Sequence, residues 1–495
     1  MNIRRNLPVL AGLAALAGCS LAPHYTPPTV PAIPASYKEA GPWQLAHPAD
    51  ELPRGPWWTS FDDAALNQLE AKIDTRNPSI AEAVASYDIA RADVAEARSY
   101  LLPQLIGGGS TTANRQSERR PLRSADQPNQ YPANTLDVQM NYELDLWGKL
   151  RNGVAAQKAT AQASADTLAT TRLSMHAELA NDYMALRGLD AQERLLDQTV
   201  DVYTKAVSIT QVRHAGFIAS GLDVEQAQNQ LQTAQAAATE VSATRALYEH
   251  AIASLVGVPA SSFSLPPDVE RMALPDIPTG VPSALLQRRP DIATAERNVA
   301  AANALVGVAK AAFYPDISLS GIFGFQDTGE AALLSTPYTF WSIGPQLAAP
   351  LFQGGLLRAQ EAAAKASVRQ QAEAYRVVVL GAFQQVEDSL SNLRRLHQEL
   401  AQETAAEQSA SKAADASMSL YRDGAVNYLD VVVAQTTYLQ AQQSVLSLRT
   451  RLLQSSVQLI QALGGGWTTQ ETDQMVQKGM PSNTRIALGP TQSPP

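Results

Sequence analysis

Between Leu136 and Leu146 apolar and polar residues alternate without a break. Leu136, Val138, Met140, Tyr142, Leu144 and Leu146 fall on one face, and Asp137, Gln139, Asn141, Glu143 and Asp145 on the other. A period of two is the signature of a strand. A run of ~9–11 residues with one greasy and one acidic face suits a barrel strand crossing a membrane around a wet interior. An amphipathic strand in a soluble sandwich has the same pattern. Further strands are expected near Gln104–Thr112, Asp316–Phe325 and Trp341–Leu351. The first two of these are glycine-rich, which suits close backbone approach or a bend. The polar stretches Asn114–Pro132 and Gln326–Pro337 between strands are expected as loops outside the cell.

Elsewhere the period changes to that of helix. Leu168, Met175, Leu179, Leu186, Leu189, Leu196, Val200, Tyr203 and Val207 follow at steps of seven, four or three, as do Tyr375, Val379, Val386, Leu390, Leu393 and Leu400. These are coiled-coil seams. No proline occurs from Ala133 to Val258 or from Leu351 to Met480, although the chain has 30. Each seam is expected to reverse at a glycine-bearing turn, His214–Gly221 or Asp423–Asn427, and return as a second helix. Shorter helices are expected after Asp62 or Asp63, either of which can cap, and from about Ser79 to Leu102, before Pro103.

The same order is written twice. Asn77-Pro78-Ser79-Ile80 returns as Arg289-Pro290-Asp291-Ile292, Pro103-Gln104-Leu105 as Pro315-Asp316-Ile317, and Leu146-Trp147-Gly148 through Arg151 as Leu351-Phe352-Gln353 through Arg358. Gly216 with Leu222-Asp223-Val224 returns as Gly424 with Leu429-Asp430-Val431. Duplication of a supersecondary unit argues for one pseudo-symmetric body. The repeats are read as residues 57–260 and 275–466, each a helix, two strands and a long helical hairpin, followed by a 467–495 tail.

The N-terminus has a different character. Arg4 and Arg5, the apolar stretch Leu7–Ala17 and the small residues before Cys19 form a secretory signal, residues 1–18, too short to span a bilayer. Cys19 is the single cysteine of the 495 residues, so no intrachain disulfide exists. Leu16-Ala17-Gly18-Cys19 resembles a bacterial lipobox, which implies cleavage before Cys19 and a covalent lipid on its thiol. Ser20, rather than Asp, then favours the outer membrane. Residues 19–56, with nine prolines from Pro23 to Pro56, read as an extended tether. Loss of Arg4 and Arg5 takes the net charge from −9 to −11, which disfavours nucleic acid as a partner.

Four stretches resemble the TolC-like outer membrane factors, lipoprotein efflux branch (OprM/NodT-like). They are Trp57-Trp58 with Phe61-Asp62-Asp63, Tyr142 through Arg151, Arg289-Pro290-Asp291-Ile292 with Ala309 through Pro315, and Tyr421-Arg422-Asp423-Gly424 with Tyr428 through Val431. The resemblance runs from about Trp57 to Gly466. It implies a mainly α channel-tunnel with a transmembrane β part. A homotrimer would give four strands per chain to one shared barrel of about twelve, with outer membrane lipids around it. It implies further partners: a periplasmic adaptor and an inner-membrane pump, of RND type. The activity implied is passive exit of drugs or other small toxic solutes, with no active site.

By the same resemblance, Tyr421 bonds to Asp223 and helps close the periplasmic gate, and Asp430 forms an acidic ring in the trimer. Leu429 and Val433 stand beside it, Val433 where many relatives carry an acid. Val426 replaces a basic residue of some relatives. The turns bearing Gly216, Gly221 and Gly424 are expected to meet the adaptor. Asp223 and Asp430 also have the composition of simple helix caps. A type I protein-secretion channel is the alternative within the family. A periplasmic adaptor lipoprotein is the alternative outside it, but an adaptor has one hairpin interrupting a β-domain, not two after strand pairs. Catalytic chemistry is not indicated. The six histidines are scattered without metal-ligand spacing, and Ser409-Ala410-Ser411-Lys412 lies in an alanine-rich helix without the companion motifs of a serine–lysine enzyme.

Overall fold

A computed structural model of the chain describes residues 20–30, 36–40, 56–119, 128–269, 272–275, 277, 288–329 and 334–465. The signal peptide, Cys19 and the 467–495 tail lie outside the described residues. Along the first repeat run α1 (Ala64–Arg76), α2 (Pro78–Ser99), β1 (Gln104–Arg115), β2 (Gln130–Glu143), α3 (Lys149–Ala215) and α4 (Gly221–Leu255). The second gives α5 (Pro290–Ala311), β3 (Asp316–Asp327), β4 (Thr339–Ala348), α6 (Leu356–Arg422) and α7 (Tyr428–Ala462). From α2 onward the first repeat matches the second element for element, while α1 has no counterpart among the described residues. Helices α2 and α5 have 22 residues each, α3 and α6 have 67, and α4 and α7 have 35. At a rise of ~1.5 Å per residue, α3 and α6 are each ~100 Å long.

Several boundaries differ from those expected, and β1 and β3 run on to Arg115 and Asp327, into the stretches expected as loops. Helix α2 stops at Ser99 and not at Leu102, because residues 100–102 turn before Pro103. Strand β2 begins at Gln130 and ends at Glu143, so Leu144, Asp145 and Leu146 do not continue its alternation. The Asp145 carboxylate instead accepts from the backbone N–H groups of Leu150 at 3.1 Å and Arg151 at 2.8 Å, which satisfies the opening turn of α3. Asp145 is therefore a helix-capping residue and not part of an acidic strand face. Strand β4 ends at Ala348, short of Leu351, because its partner β3 begins at Asp316, the residue that pairs with Ala348. At the first helix, Asp63 is the cap, accepting from Leu66 N at 2.8 Å, while Asp62 takes a left-handed conformation.

The chain forms two compact units. The described parts of Met1–Thr29, Ser86–Ser164 and Thr294–Tyr375 make the first; those of Val30–Ala85, Ala165–Ala293 and Arg376–Pro495 make the second.

The first unit holds a single antiparallel sheet of order β1-β2-β3-β4. Its register aligns like with like. Gly107, Val138, Phe323 and Trp341 share one row, and Leu105, Met140, Gly321 and Ile343 another, so one face is apolar across all four strands. Leu105, Val138, Phe323, Trp341 and Ile343 on that face are between 49% and 71% exposed. Directly opposed residues share a face. The other face is mainly polar, with rows such as Gln104, Asn141, Ser320 and Gly344, or Glu143, Ser318 and Gln346. Asp137 sits on it between Gly108 and Gly324, and a Cβ at Gly324 would lie 2.8 Å from that of Asp137. The glycines make room for the acid. At the foot of the sheet Trp147 stacks on Tyr314 at 4.9 Å and donates to the Pro315 carbonyl at 2.8 Å. Residues 20–29 form no helix or strand and are pinned to this unit. The Ser20 hydroxyl bonds to Asn152 at 2.8 Å, Tyr25 to Glu296, and Asn303 to the Pro23 carbonyl at 2.9 Å.

In the second unit the seam residues form the core. Leu168, Leu179 and Leu186 are 1% exposed or less, packed with Trp57, Phe61, Leu66, Ile73, Ile252 and Val457, and Leu196 is fully buried as well. Each such side chain contributes ~1.5–3 kcal/mol of burial. The repeat explains its own motifs here. Asn77 Nδ2 donates to the Leu255 carbonyl at 2.9 Å, and its counterpart Arg289 donates through Nη1 to the Ala462 carbonyl at 3.0 Å. Gly257 (φ +70°) packs against the Arg76 carbonyl just as Gly464 (φ +93°) packs against that of Arg288. Each returning helix is thus fastened by its end to the residue pair before the short helix of the same repeat. Residues 36–40 are fastened too: Tyr37 is 5% exposed, and the N–H groups of Lys38 and Glu39 donate to the Glu387 carboxylate at 2.8 and 2.9 Å.

Candidate functional site: the paired hairpin turns

Both hairpins turn within the second unit, and both do so by the same device. At the end of α6 the Gly424 N–H donates to Tyr421 O and the Ala425 N–H to Leu420 O, with Gly424 left-handed at φ +78°. At the end of α3 the Phe217 N–H donates to His214 O and the Ile218 N–H to Arg213 O. These are paired C-terminal closures that need one residue in the left-handed region. In the first turn that residue is Phe217 (φ +59°), not Gly216. The sequence suggested glycine for the task, and the structure sets a fully exposed phenylalanine there instead, at 98%. Gly221 is simply the first residue of α4, with His214 Cε1 3.8 Å from where its Cβ would lie.

The returning helices are capped by Ser220 and Asn427. Their side chains accept from the N–H groups of Asp223 and Asp430, each at 3.2 Å. The aspartates are therefore not the caps. They occupy the third helical position, where a negative charge faces the positive end of the helix. The Ser220 hydroxyl also donates to Asp223 Oδ1 at 2.7 Å.

The structure brings Tyr421 to Asp223. The phenol lies 3.5 Å from Asp223 Oδ2, across the two hairpins. The ring is 3% exposed and meets Tyr428 edge-on at 5.2 Å, in a small core of Val207, Ala227, Tyr428 and Val431, with Val426 against it. Burial, followed by the charge of Asp223, raises the Tyr421 pKa, so the phenol stays protonated and remains a donor. Asp430, Leu429 and Val433 are exposed together on the opening turns of α7, with Leu429 at 51% and Val433 at 59%. Arg213, which the spacing did not single out, reaches the same place. Its guanidinium lies 4.8 Å from the centre of the Tyr421 ring, and Nη1 donates to the Arg422 carbonyl at 3.0 Å.

Among the described residues no helix is long and apolar enough to cross a membrane, and no cluster of histidine, cysteine and carboxylate side chains has the arrangement of a metal site. The open four-stranded sheet with one apolar face and the two matched hairpins define a TolC-like channel-tunnel fold. The solved outer-membrane channel OprN superposes with a TM-score of 0.83 and 27% identity, covering 91% of this chain and 100% of that one. The model of the outer membrane efflux protein family matches residues 71–258 and 281–465, and the chain belongs to that family. Among curated relatives, the pyoverdine export outer membrane protein OpmQ of Pseudomonas aeruginosa is 31% identical over 417 residues, 83% of this chain and 87% of OpmQ. The toluene efflux pump outer membrane protein TtgC of Pseudomonas putida is 30% identical over 459 residues, 92% and 94% of the two chains. The chain is accordingly the outer membrane channel of a tripartite efflux system, in a family of channels rather than enzymes. The adaptor alternative falls, because the family match takes in both repeats.

Proposed function

We propose that three copies of this chain close their sheets into one barrel in the outer membrane, and that their hairpins form a passive exit duct gated at the turns. The observation that carries this reading is the sheet register. It gives one apolar face across four strands, with the outer edges of β1 and β4 unpaired among the described residues. Open edges are not tolerated against lipid, because unpaired N–H and C=O groups find no water there. Pairing β4 of one copy with β1 of the next removes every edge and gives a barrel of about twelve strands. The polar face then lines the lumen. The lipid on Cys19 adds an anchor, and residues 20–30 hold that anchor to the body.

At the hairpin turns Asp430 from three subunits lines the constriction beside Leu429 and Val433, with Tyr421 and Asp223 joining the hairpins within each subunit. The turns bearing Gly216, Gly221 and Gly424 receive the periplasmic adaptor, and an RND-type inner-membrane pump supplies the energy. Drugs and other small organic toxicants are the cargo; relatives that export pyoverdine or toluene favour small molecules over secreted proteins. An Asp430→Ala channel recorded in a planar bilayer should lose cation selectivity and block by trivalent cations, since three carboxylates act together there. Selectivity and block equal to the parent's would move the constriction away from Asp430.

A further inference from the structure

The contact between Tyr421 and Asp223 is weak as it stands. At 3.5 Å the phenol is at the outer limit of a hydrogen bond. Arg213 joins the same two hairpins with better geometry. It leaves the last turn of α3 and lays its guanidinium against the Tyr421 ring, 4.8 Å from the ring centre. Its Nη1 donates 3.0 Å to the carbonyl of Arg422, the last residue of α6. Such terminal carbonyls have no partner within their own helix and carry the negative end of its dipole. A charge-assisted bond to one of them is about twice as strong as a neutral bond, and the cation over the ring adds to it. Both partners of Arg213 lie on the second hairpin, while Arg213 itself lies on the first.

We propose that Arg213 is the main latch between the two hairpins of each subunit, a positioning residue that holds the Tyr421 ring and the end of α6 against α3. The inference rests on the gate reading and deepens it. Tyr421 contributes through its ring more than through its hydroxyl, and opening separates Arg213 from the Arg422 carbonyl. Charged neighbours do not supply a replacement. Arg422 and Asp423 are exposed, and the His214 ring is already bonded to the Ala219 carbonyl at 3.0 Å.

The test is single-channel recording of purified full-length protein in planar bilayers, comparing the parent with Arg213→Met, Arg213→Lys, Tyr421→Phe and Asp430→Ala. Arg213→Met keeps the bulk and removes the charge. It should raise mean conductance or open probability at least ~3-fold, because one contact is lost in every subunit at once. Arg213→Lys should fall between, since an ammonium reaches the carbonyl but has no plane to lay on the ring. Tyr421→Phe should stay within a factor of about two of the parent, because the ring is kept. Melting temperatures of all four should match the parent. Arg213→Met and Arg213→Lys both gating like the parent would overturn the proposal, as would Tyr421→Phe opening the channel more than either. Those results leave the gate reading standing if Asp430→Ala still changes selectivity. An Asp430→Ala channel with unchanged selectivity removes the gate, and the latch with it.

Discussion

Gly257→Ala should be among the most damaging methyl groups that can be added to this chain. Gly257 has φ +70°, a conformation that costs an L-residue roughly 1–2 kcal/mol. The new Cβ would also press on backbone: the Arg76 carbonyl carbon is 3.0 Å away and the oxygen nearer still. Carbon pairs prefer ~3.5–4.0 Å, so the end of α4 and the end of α1 must separate. That movement strains the 2.9 Å bond from Asn77 to the Leu255 carbonyl, and a buried group left unpaired costs about 1–3 kcal/mol. Together these give about 2–5 kcal/mol per subunit, above the ~1 kcal/mol of a typical substitution. The control is Gly381→Ala, inside α6, where a Cβ meets nothing within 4 Å. There alanine should be neutral, or gain up to ~1 kcal/mol from helix propensity. The assay is thermal unfolding of detergent-purified protein, followed by circular dichroism. Gly257→Ala should melt at least ~5 °C below the parent and Gly381→Ala at or above it. A Gly257→Ala protein melting with the parent would refute the view that each repeat is fastened at this point.

His176 is buried between Glu70 at 2.6 Å and Asp74 at 3.5 Å, with Trp58 stacked on its ring. Burial lowers its pKa, but the hydrogen bonds and charges of Asp74 and Glu70 outweigh that and raise it to about 9, while burial, offset in part by His176, raises Glu70 to about 7. Both folded values exceed the ordinary 6.5 and 4.5, so the stabilisation is complete at low pH and is lost as pH climbs through the folded values. Melting temperature should therefore fall from pH 6.5 to 9, and His176→Gln should flatten that slope; a slope unchanged in the variant would show that other groups cause it. In a Cys19→Ser background behind a conventional signal peptide, the protein should stay in the outer membrane fraction. Single cysteines at Asp137, Gln139 and Asn141 should then react with water-borne thiol reagents, whereas those at Leu136 and Val138 should not. Labelling in the opposite pattern would invert the sheet.

Much of this was legible because the chain repeats itself. The proline-free seams marked a long helical hairpin in each half, and the alternation around Val138 gave the faces of β2. The resemblance pairs Tyr421 with Asp223, and the two side chains lie 3.5 Å apart. Ends were harder. Asp145 keeps perfect alternation with Glu143, yet its short carboxylate also bonds nearby N–H groups, and only the turn at Gly148 decides which use wins. Ser220 and Asn427 do not stand out in the sequence as caps, because the aspartates three residues on are equally good candidates by type. Arg213 carried no pattern at all, since its partners are a ring and a carbonyl more than two hundred residues away, and a carbonyl leaves no mark in a sequence.

The most direct test of the whole account uses the chain's shortage of cysteine. In the Cys19→Ser background, Asp430→Cys introduces one thiol per subunit at the proposed constriction and none elsewhere. If three copies converge there, the thiolates form a soft metal site on the channel axis, which Cd²⁺ should occupy. Conductance in a planar bilayer should then collapse on adding micromolar Cd²⁺ and return on chelation, with no effect on the Cys19→Ser parent. An Asp430→Cys channel that conducts undisturbed in Cd²⁺ would contradict a trimeric duct closed at its hairpin turns.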